Sequence, residues 1–124
     1  MRRIAALVTA LPLATAAFAQ DPTTTDPDKY KAVFENDCVR VLDYRDRPGE
    51  KTRQHRHPAF VLYALSSFQR TLELPDGRLL QRRFREGEAM WSDSQVHIGT
   101  NTGQTPTHAL IVEMKPGIGD CARR

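Results

Sequence analysis

From Tyr30 onward, short apolar runs alternate with polar turns, and no segment carries an apolar stripe of useful length at helical spacing. Tyr30 to Phe34 enters this patterned region. Cys38 to Tyr44 reads as the first strand, with Val39, Val41 and Asp43 on one face and Cys38, Arg40, Leu42 and Tyr44 on the other. Gln54 to Leu65 reads as one long strand or a bent pair, broken at Pro58, because proline cannot donate to a ladder. Phe68 to Leu74, Leu79 to Phe84, Ala89 to Trp91, Gln95 to Thr100 and Pro106 to Lys115 follow. Turns separate them. In Pro75-Asp76-Gly77-Arg78 the proline presets φ and the glycine is free to take a positive one. The pattern predicts roughly seven to nine short strands at spacings of about 8–12 residues, an all-β sandwich or barrel. The stretch from His97 to Thr107 is expected to be a hairpin turning near Thr102 and Gly103, which sets His97 opposite residues close to His108.

The first 29 residues break this rhythm. Arg2 and Arg3 precede an apolar run from Ile4 to Ala17, which ends in Ala17-Phe18-Ala19. A charged start, an apolar middle and small residues around one bulky residue are the parts of a secretory signal peptide, here residues 1–19. The run is shorter than the roughly 20 residues a bilayer span requires. The expectation is a periplasmic or secreted protein with no membrane attachment after cleavage. Residues 20–29 contain DPTTTDPD, without an apolar side chain, and read as a disordered linker. The domain itself is expected at 30–117, with a C-terminal tail at 118–124. That length supports one compact domain and not two.

Charge narrows the range of partners. The chain has 18 Lys and Arg against 15 Asp and Glu, and losing Arg2 and Arg3 brings it close to balance. Such a chain is not expected to bind nucleic acid, and the basic stretch Arg78, Arg82, Arg83 and Arg85 reads as a solvated strand face. Two cysteines, Cys38 and Cys121, suit a disulfide in an oxidising compartment. A bridge closing so long a loop stabilises by roughly 4–5 kcal/mol in the chain-entropy view.

The candidate chemistry lies in the histidines. His55 and His57 are two apart, so on a strand both project from one face and can share a metal ion. A third ligand must come from another strand, and the strand of His97 is the best candidate. Gly49, five residues, then His55-Arg56-His57 resembles the first half of the first cupin motif. Gly87, a turn, then His97 followed after three residues by Asn101 resembles the second. The resemblance runs from about Phe34 to Lys115, and the layout is similar to small single-domain cupins. That resemblance implies a double-stranded β-helix with a metal inside the barrel, held by His55, His57 and His97. The sequence departs from the family in four places. The Gly87–His97 stretch is one residue short, Asp93 stands where a proline is common, the acidic ligand's position holds Val61 or Leu62, and Ser66, Ser67 and Phe68 occupy the region where a glycine is expected after it.

Three neutral imidazoles without a carboxylate suit a divalent ion such as Fe, Mn, Ni or Zn, and leave its charge free to attract an anionic or chelating molecule. Loss of the carboxylate equally suits a barrel that binds no metal. His108, with Leu110, Val112 and Met114, reads as facing the interior, either as a fourth ligand or a donor behind the ligands, or as a lone histidine at the barrel rim, since a one-residue change of register flips the face. Tyr63 shares the parity of His55 and His57 and is expected to face the same interior, either as a core aromatic or as a catalytic residue that reaches substrate or a metal-bound water. Two functions follow. One is a metal-dependent oxygenase or isomerase acting on a small polar molecule. The other is a non-catalytic barrel for a small ligand, either metal-free or holding a structural metal. Pairing into a homodimer is compatible with both.

Overall fold

The computed structural model describes residues 20–121 and 123. The expected signal peptide at 1–19 lies outside the described residues. Nine strands form: β1 (Tyr30–Glu35), β2 (Val39–Asp46), β3 (His55–His57), β4 (Phe60–Ala64), β5 (Phe68–Glu73), β6 (Leu79–Phe84), β7 (Ala89–Ser92), β8 (Gln95–Asn101) and β9 (Thr107–Met114). Two short helical turns flank them, α1 (Pro22–Thr25) and α2 (Ile118–Cys121). The strands make a five-stranded sheet in the order β1-β2-β9-β4-β7 and a four-stranded sheet in the order β3-β8-β5-β6. All their pairings are antiparallel. The all-β architecture is the one the alternating pattern predicts.

The longest ladder joins β2 and β9, and its alternation defines the inside of the barrel. Leu42 sits opposite Ile111 and Tyr44 opposite Ala109, all four buried. Phe60 and Leu62 of β4 and Phe68 of β5 close over them. Burying one such aliphatic or aromatic side chain stabilises by about 1.5–3 kcal/mol. Glycines 49 and 87, which open the two motif halves, both lie at positive φ, +84° and +87°, where a β-carbon is strained.

Pro58 does break the long run, and the break moves the chain from one sheet to the other. β3 belongs to the four-stranded sheet and β4 to the five-stranded one. The corner at Pro58 and Ala59 also resets the parity. Inward residues are His55 and His57 before it, then Phe60, Leu62 and Ala64 after it. A single alternation carried across a corner assigns Tyr63 and Val61 to the wrong face.

The expected hairpin between His97 and Thr107 is not formed. β8 pairs with β3 and β5, β9 pairs with β2 and β4, and the intervening residues cross between sheets. Asn101 pins the crossing. Its Nδ2 donates to the Thr105 carbonyl at 2.9 Å and to Asp46 Oδ1 at 2.8 Å, and its Oδ1 accepts from the Gly103 N–H at 3.1 Å.

Residues 20–29 are not a disordered linker. Asp21 caps α1 by accepting from the Thr23 N–H at 2.9 Å, and Pro22 stands in the first turn and is buried. A polar cap followed by proline is a helix-start signal, which the low apolar content of the segment hides. Asp26 fixes the segment to the barrel by accepting from the Arg53 N–H at 3.1 Å. At the other end, Cys38 and Cys121 form the expected disulfide, with Cα atoms 5.9 Å apart.

Candidate metal centre

β3 and β8 pair so that His55 lies directly opposite His97, with His57 two residues along on the same inward face. All three are buried, His55 completely. One nitrogen from each converges, all within 4.8 Å of one another. The other nitrogen of each ring is held from behind. Nδ1 of His55 lies 2.8 Å from the Arg53 carbonyl, Nδ1 of His57 2.7 Å from Glu113 Oε1, and Nδ1 of His97 2.8 Å from Gln95 Oε1. All three partners are acceptors, so each Nδ1 carries the proton and each Nε2 presents a lone pair to the interior.

This assignment tests whether the residues fit a metal. Nε2 of His55 and Nε2 of His57 are 3.1 Å apart. With both protons on the Nδ1 sides, two lone pairs face each other at hydrogen-bond distance with no proton between them. The Tyr30 hydroxyl, 3.1 Å from His55 Nε2, can donate to one of them. A cation satisfies all three nitrogens. Two imidazoles on one ion at 2.0–2.1 Å have nitrogens roughly 3.0–3.4 Å apart, which brackets the observed separation. The donor set fits a divalent first-row metal.

Electrostatics keeps the rings ready to bind. Burial, then the neighbouring His57, pushes the His55 pKa down to about 4. Burial, then His55 and His57, pushes His97 down to about 2. Both rings are neutral near pH 7, the state a ligand needs. Burial pushes the Tyr30 hydroxyl well above its ordinary value, so it stays a donor.

Glu113 of β9 is the functional residue that the sequence reading missed. It is 2% exposed, and its two oxygens bridge His57 Nδ1 and Arg40 Nε, each at 2.7 Å. A carboxylate behind a ligand histidine fixes the tautomer and raises the ring's basicity. The sequence signal was a lone acid among Ala109, Leu110, Ile111, Val112 and Met114. The expected ligand position holds no acid, as Val61 and Leu62 imply. The carboxylate reaches the centre through a histidine instead.

Two predicted site residues lie elsewhere. His108 is on the outward face of β9, its Nε2 3.1 Å from Asp43 Oδ2, and it is not a fourth ligand. The inward face is Thr107, Ala109, Ile111 and Glu113, because β9 takes its register from β2 and β4 and not from β8. Tyr63 is 43% exposed on the outer face of β4, turned away from the triad by the corner at Pro58. His57 and His97 of the triad border a cavity of about 50 Å³, room for a few waters. His57, His97 and Tyr30 form one part of its lining, and Phe60, Arg70 and Met90 form another.

No protein-family model matches this sequence, and no curated protein does. Solved structures do. A cupin domain from Bordetella pertussis Tohama I superposes with a TM-score of 0.63 at 24% identity, over 69% of this chain and 91% of that one. A protein with a double-stranded β-helix domain from Klebsiella pneumoniae reaches 0.55 at 18% identity, over 86% of this chain and 92% of its own. The DMSP lyase of Ruegeria pomeroyi reaches 0.54 at 19% identity, over 73% of this chain and 49% of its own. The chain has the cupin fold, a double-stranded β-helix, with three histidines placed to hold a metal inside it.

Proposed function

We propose that this small cupin is an exported metalloprotein that holds a divalent Fe, Mn, Ni or Zn ion on His55, His57 and His97, and acts as an oxygenase or isomerase on a small polar substrate. The observation that carries the reading is the convergence of three Nε2 lone pairs whose Nδ1 partners are all acceptors. Three protein ligands leave coordination positions for substrate, the arrangement of a catalytic site. When bound, the ion supplies Lewis-acid polarisation and, as Fe(II), oxygen chemistry. The chain's own residues set the conditions. Glu113 orients His57, Tyr30 offers a hydroxyl proton at the triad, and Phe60 and Leu62 limit water beside it. Cupin folds host many chemistries, so the fold does not select the reaction.

Export is supported by the Cys38–Cys121 disulfide, which suits an oxidising compartment, and by the leader-like composition of residues 1–19. Among the described residues no helix is long and apolar enough to cross a membrane. Homodimer formation is supported by exposed Trp91 on edge strand β7 and exposed Val33 and Phe34 on edge strand β1. Light scattering over a wide concentration range tests it.

The deciding measurement is metal content after purification without a histidine tag, beside a His55→Ala/His57→Ala variant. Near-stoichiometric metal in the parent and none in the folded variant is the expected result. No uptake by the parent after Fe, Mn, Ni and Zn are offered overturns the proposal and leaves a metal-free ligand-binding barrel.

A further inference from the structure

We infer that Arg70 and Arg82 form a carboxylate-binding subsite in the cavity beside the triad, so that the substrate is a small carboxylic acid. This rests on the cavity being the substrate site, as proposed above. Arg70 lies on the inward face of β5 and is 6% exposed. A buried guanidinium normally uses most of its five N–H donors. Here Nη2 donates to the Tyr44 hydroxyl at 3.2 Å, and Nη1 stands 3.9 Å from Asp46 Oδ2. The Asp46 carboxylate is already engaged by the Tyr44 hydroxyl and Asn101 Nδ2. Arg70 Nε has no partner, and it is the only buried side-chain polar atom left so among the described residues.

A second observation points the same way. Arg82 of β6 is the cross-strand partner of Arg70, and both line the cavity with His57 and His97. The sequence reading put Arg82 on a solvated face, but the β5–β6 register turns it inward. Like charges directly opposite each other on a sheet face repel. Arg82 forms no ion pair among the described residues, and its guanidinium donates only to the Gln81 carbonyl at 3.3 Å. Two cross-strand arginines on one cavity wall, Arg70 with a partnerless Nε and Arg82 with no ion pair, beside a triad with no acidic ligand, make a wall that favours an anion.

The shape selects a carboxylate. A guanidinium edge matches two carboxylate oxygens in one plane. The cavity is small, and Phe60, Leu62, Phe84 and Ile111 give it apolar walls suited to a short carbon skeleton. Gly99 makes room for the arrangement, because a β-carbon there overlaps the Arg70 guanidinium.

The test uses metal-stripped full-length mature protein, so that it stands apart from metal binding. Lactate and malonate are titrated by calorimetry and thermal shift against lactamide, malonamide and inorganic sulfate. The expected result is saturable binding of the acids, at least tenfold weaker binding of the amides and of sulfate, and at least a tenfold loss of acid binding in Arg82→Gln. Arg70→Met is expected to lose binding entirely. If that variant does not fold, Gly99→Ala, which displaces the guanidinium, is expected to weaken binding in its place. Acids that bind no better than amides or sulfate overturn the proposal, and so does Arg82→Gln binding like the parent. Acid binding that needs metal, vanishes in His55→Ala/His57→Ala and ignores Arg82 overturns this subsite while the metal centre stands. Arginine-dependent binding by a protein that takes up no metal supports the subsite and removes the metalloprotein reading.

Discussion

Strand β9 carries one half of each of two histidine–carboxylate pairs, on opposite faces. Inward, Glu113 holds His57 at 2.7 Å, with both side chains almost wholly buried. Outward, His108 meets Asp43 at 3.1 Å, with 29% and 22% of the side chains exposed. The residue types match, yet only the inward pair can serve a metal site. Burial makes the difference. Inside, a buried carboxylate draws its partners from the protein, so Glu113 binds His57 and Arg40 together and leaves His57 Nε2 aimed at the triad. Outside, water competes for each contact, and the pair is one of several surface contacts around Asp43 and Arg45.

Breaking the inward pair is expected to have the largest effect. Glu113→Ala leaves the Arg40 guanidinium and His57 Nδ1 without their buried acceptor, a class of change that costs about 3–5 kcal/mol. Chemical denaturation of the metal-stripped protein measures it. Glu113→Gln keeps the shape and an acceptor but removes the charge. Metal affinity is then expected to fall about 10–100-fold, the range for losing a partner behind a ligand histidine. Unchanged affinity in a folded Glu113→Gln variant means that the carboxylate is structural only.

Acid probes the buried side of the comparison through His55 and His97, the other two histidines of the triad. The folded-state pKa values of His55 and His97 lie below those of the unfolded chain, so the unfolded chain takes up protons first. Stability of the metal-free protein is therefore full above about pH 6.5. It is lost as pH falls toward about 4 for His55, and further toward about 2 for His97. With both unfolded-state rings charged and both folded ones neutral, the slope approaches about 2.7 kcal/mol per pH unit. A His55→Ala/His97→Ala variant is expected to flatten the melting temperature between pH 6.5 and 5. An equally steep decline in that variant assigns the acid sensitivity to other groups.

Arg40 connects the inward pair to the N-terminal segment, since it bonds Glu113 Oε2 at 2.7 Å and Asp21 Oδ2 at 2.8 Å. Arg40→Met removes the cation beside the buried Glu113 carboxylate and is expected to cost about 3 kcal/mol, the lower end of the range for breaking a buried pair. It should also raise amide exchange in α1, whose cap is Asp21. Exchange in α1 that matches the parent shows that the contacts of Arg53 with Asp26 and the Thr25 carbonyl anchor the segment without Arg40.

These contrasts also show what the sequence reveals. Spacing brought His55 and His57 to one face, and family resemblance added His97. Both succeed because β3 and β8 are regular and directly paired. The failures share one physical cause. Alternation assigns faces within a strand but does not survive a corner or a crossing between sheets. Pro58 reset the parity and took Tyr63 out of the site. The crossing at Asn101 removed the pairing that seemed to bring His108 to His97 and hid Glu113 on what read as the outer face. Arg70 and Arg82 are illegible for another reason. Nothing local separates an inward arginine from a solvated one, and only the sheet that closes over β5 and β6 does.

The smallest expected effect is the control for all the others. His108→Ala removes the outward pair, and ion pairs open to solvent contribute about 0–1 kcal/mol because water and salt screen them. Asp43 keeps its contact with Arg45 at 3.0 Å, so no charge is stranded. The backbone contributions of this residue, its N–H to Ser66 Oγ at 2.9 Å and its carbonyl to the Leu65 N–H at 2.9 Å, survive the substitution. Stability should therefore change by less than about 1 kcal/mol, and by less still in 1 M salt, where the Debye length shrinks to about 3 Å. Metal content and affinity should match the parent. A loss of metal in His108→Ala restores this residue to the site and means that β9 turns its other face inward in solution, which exchanges the roles of His108 and Glu113.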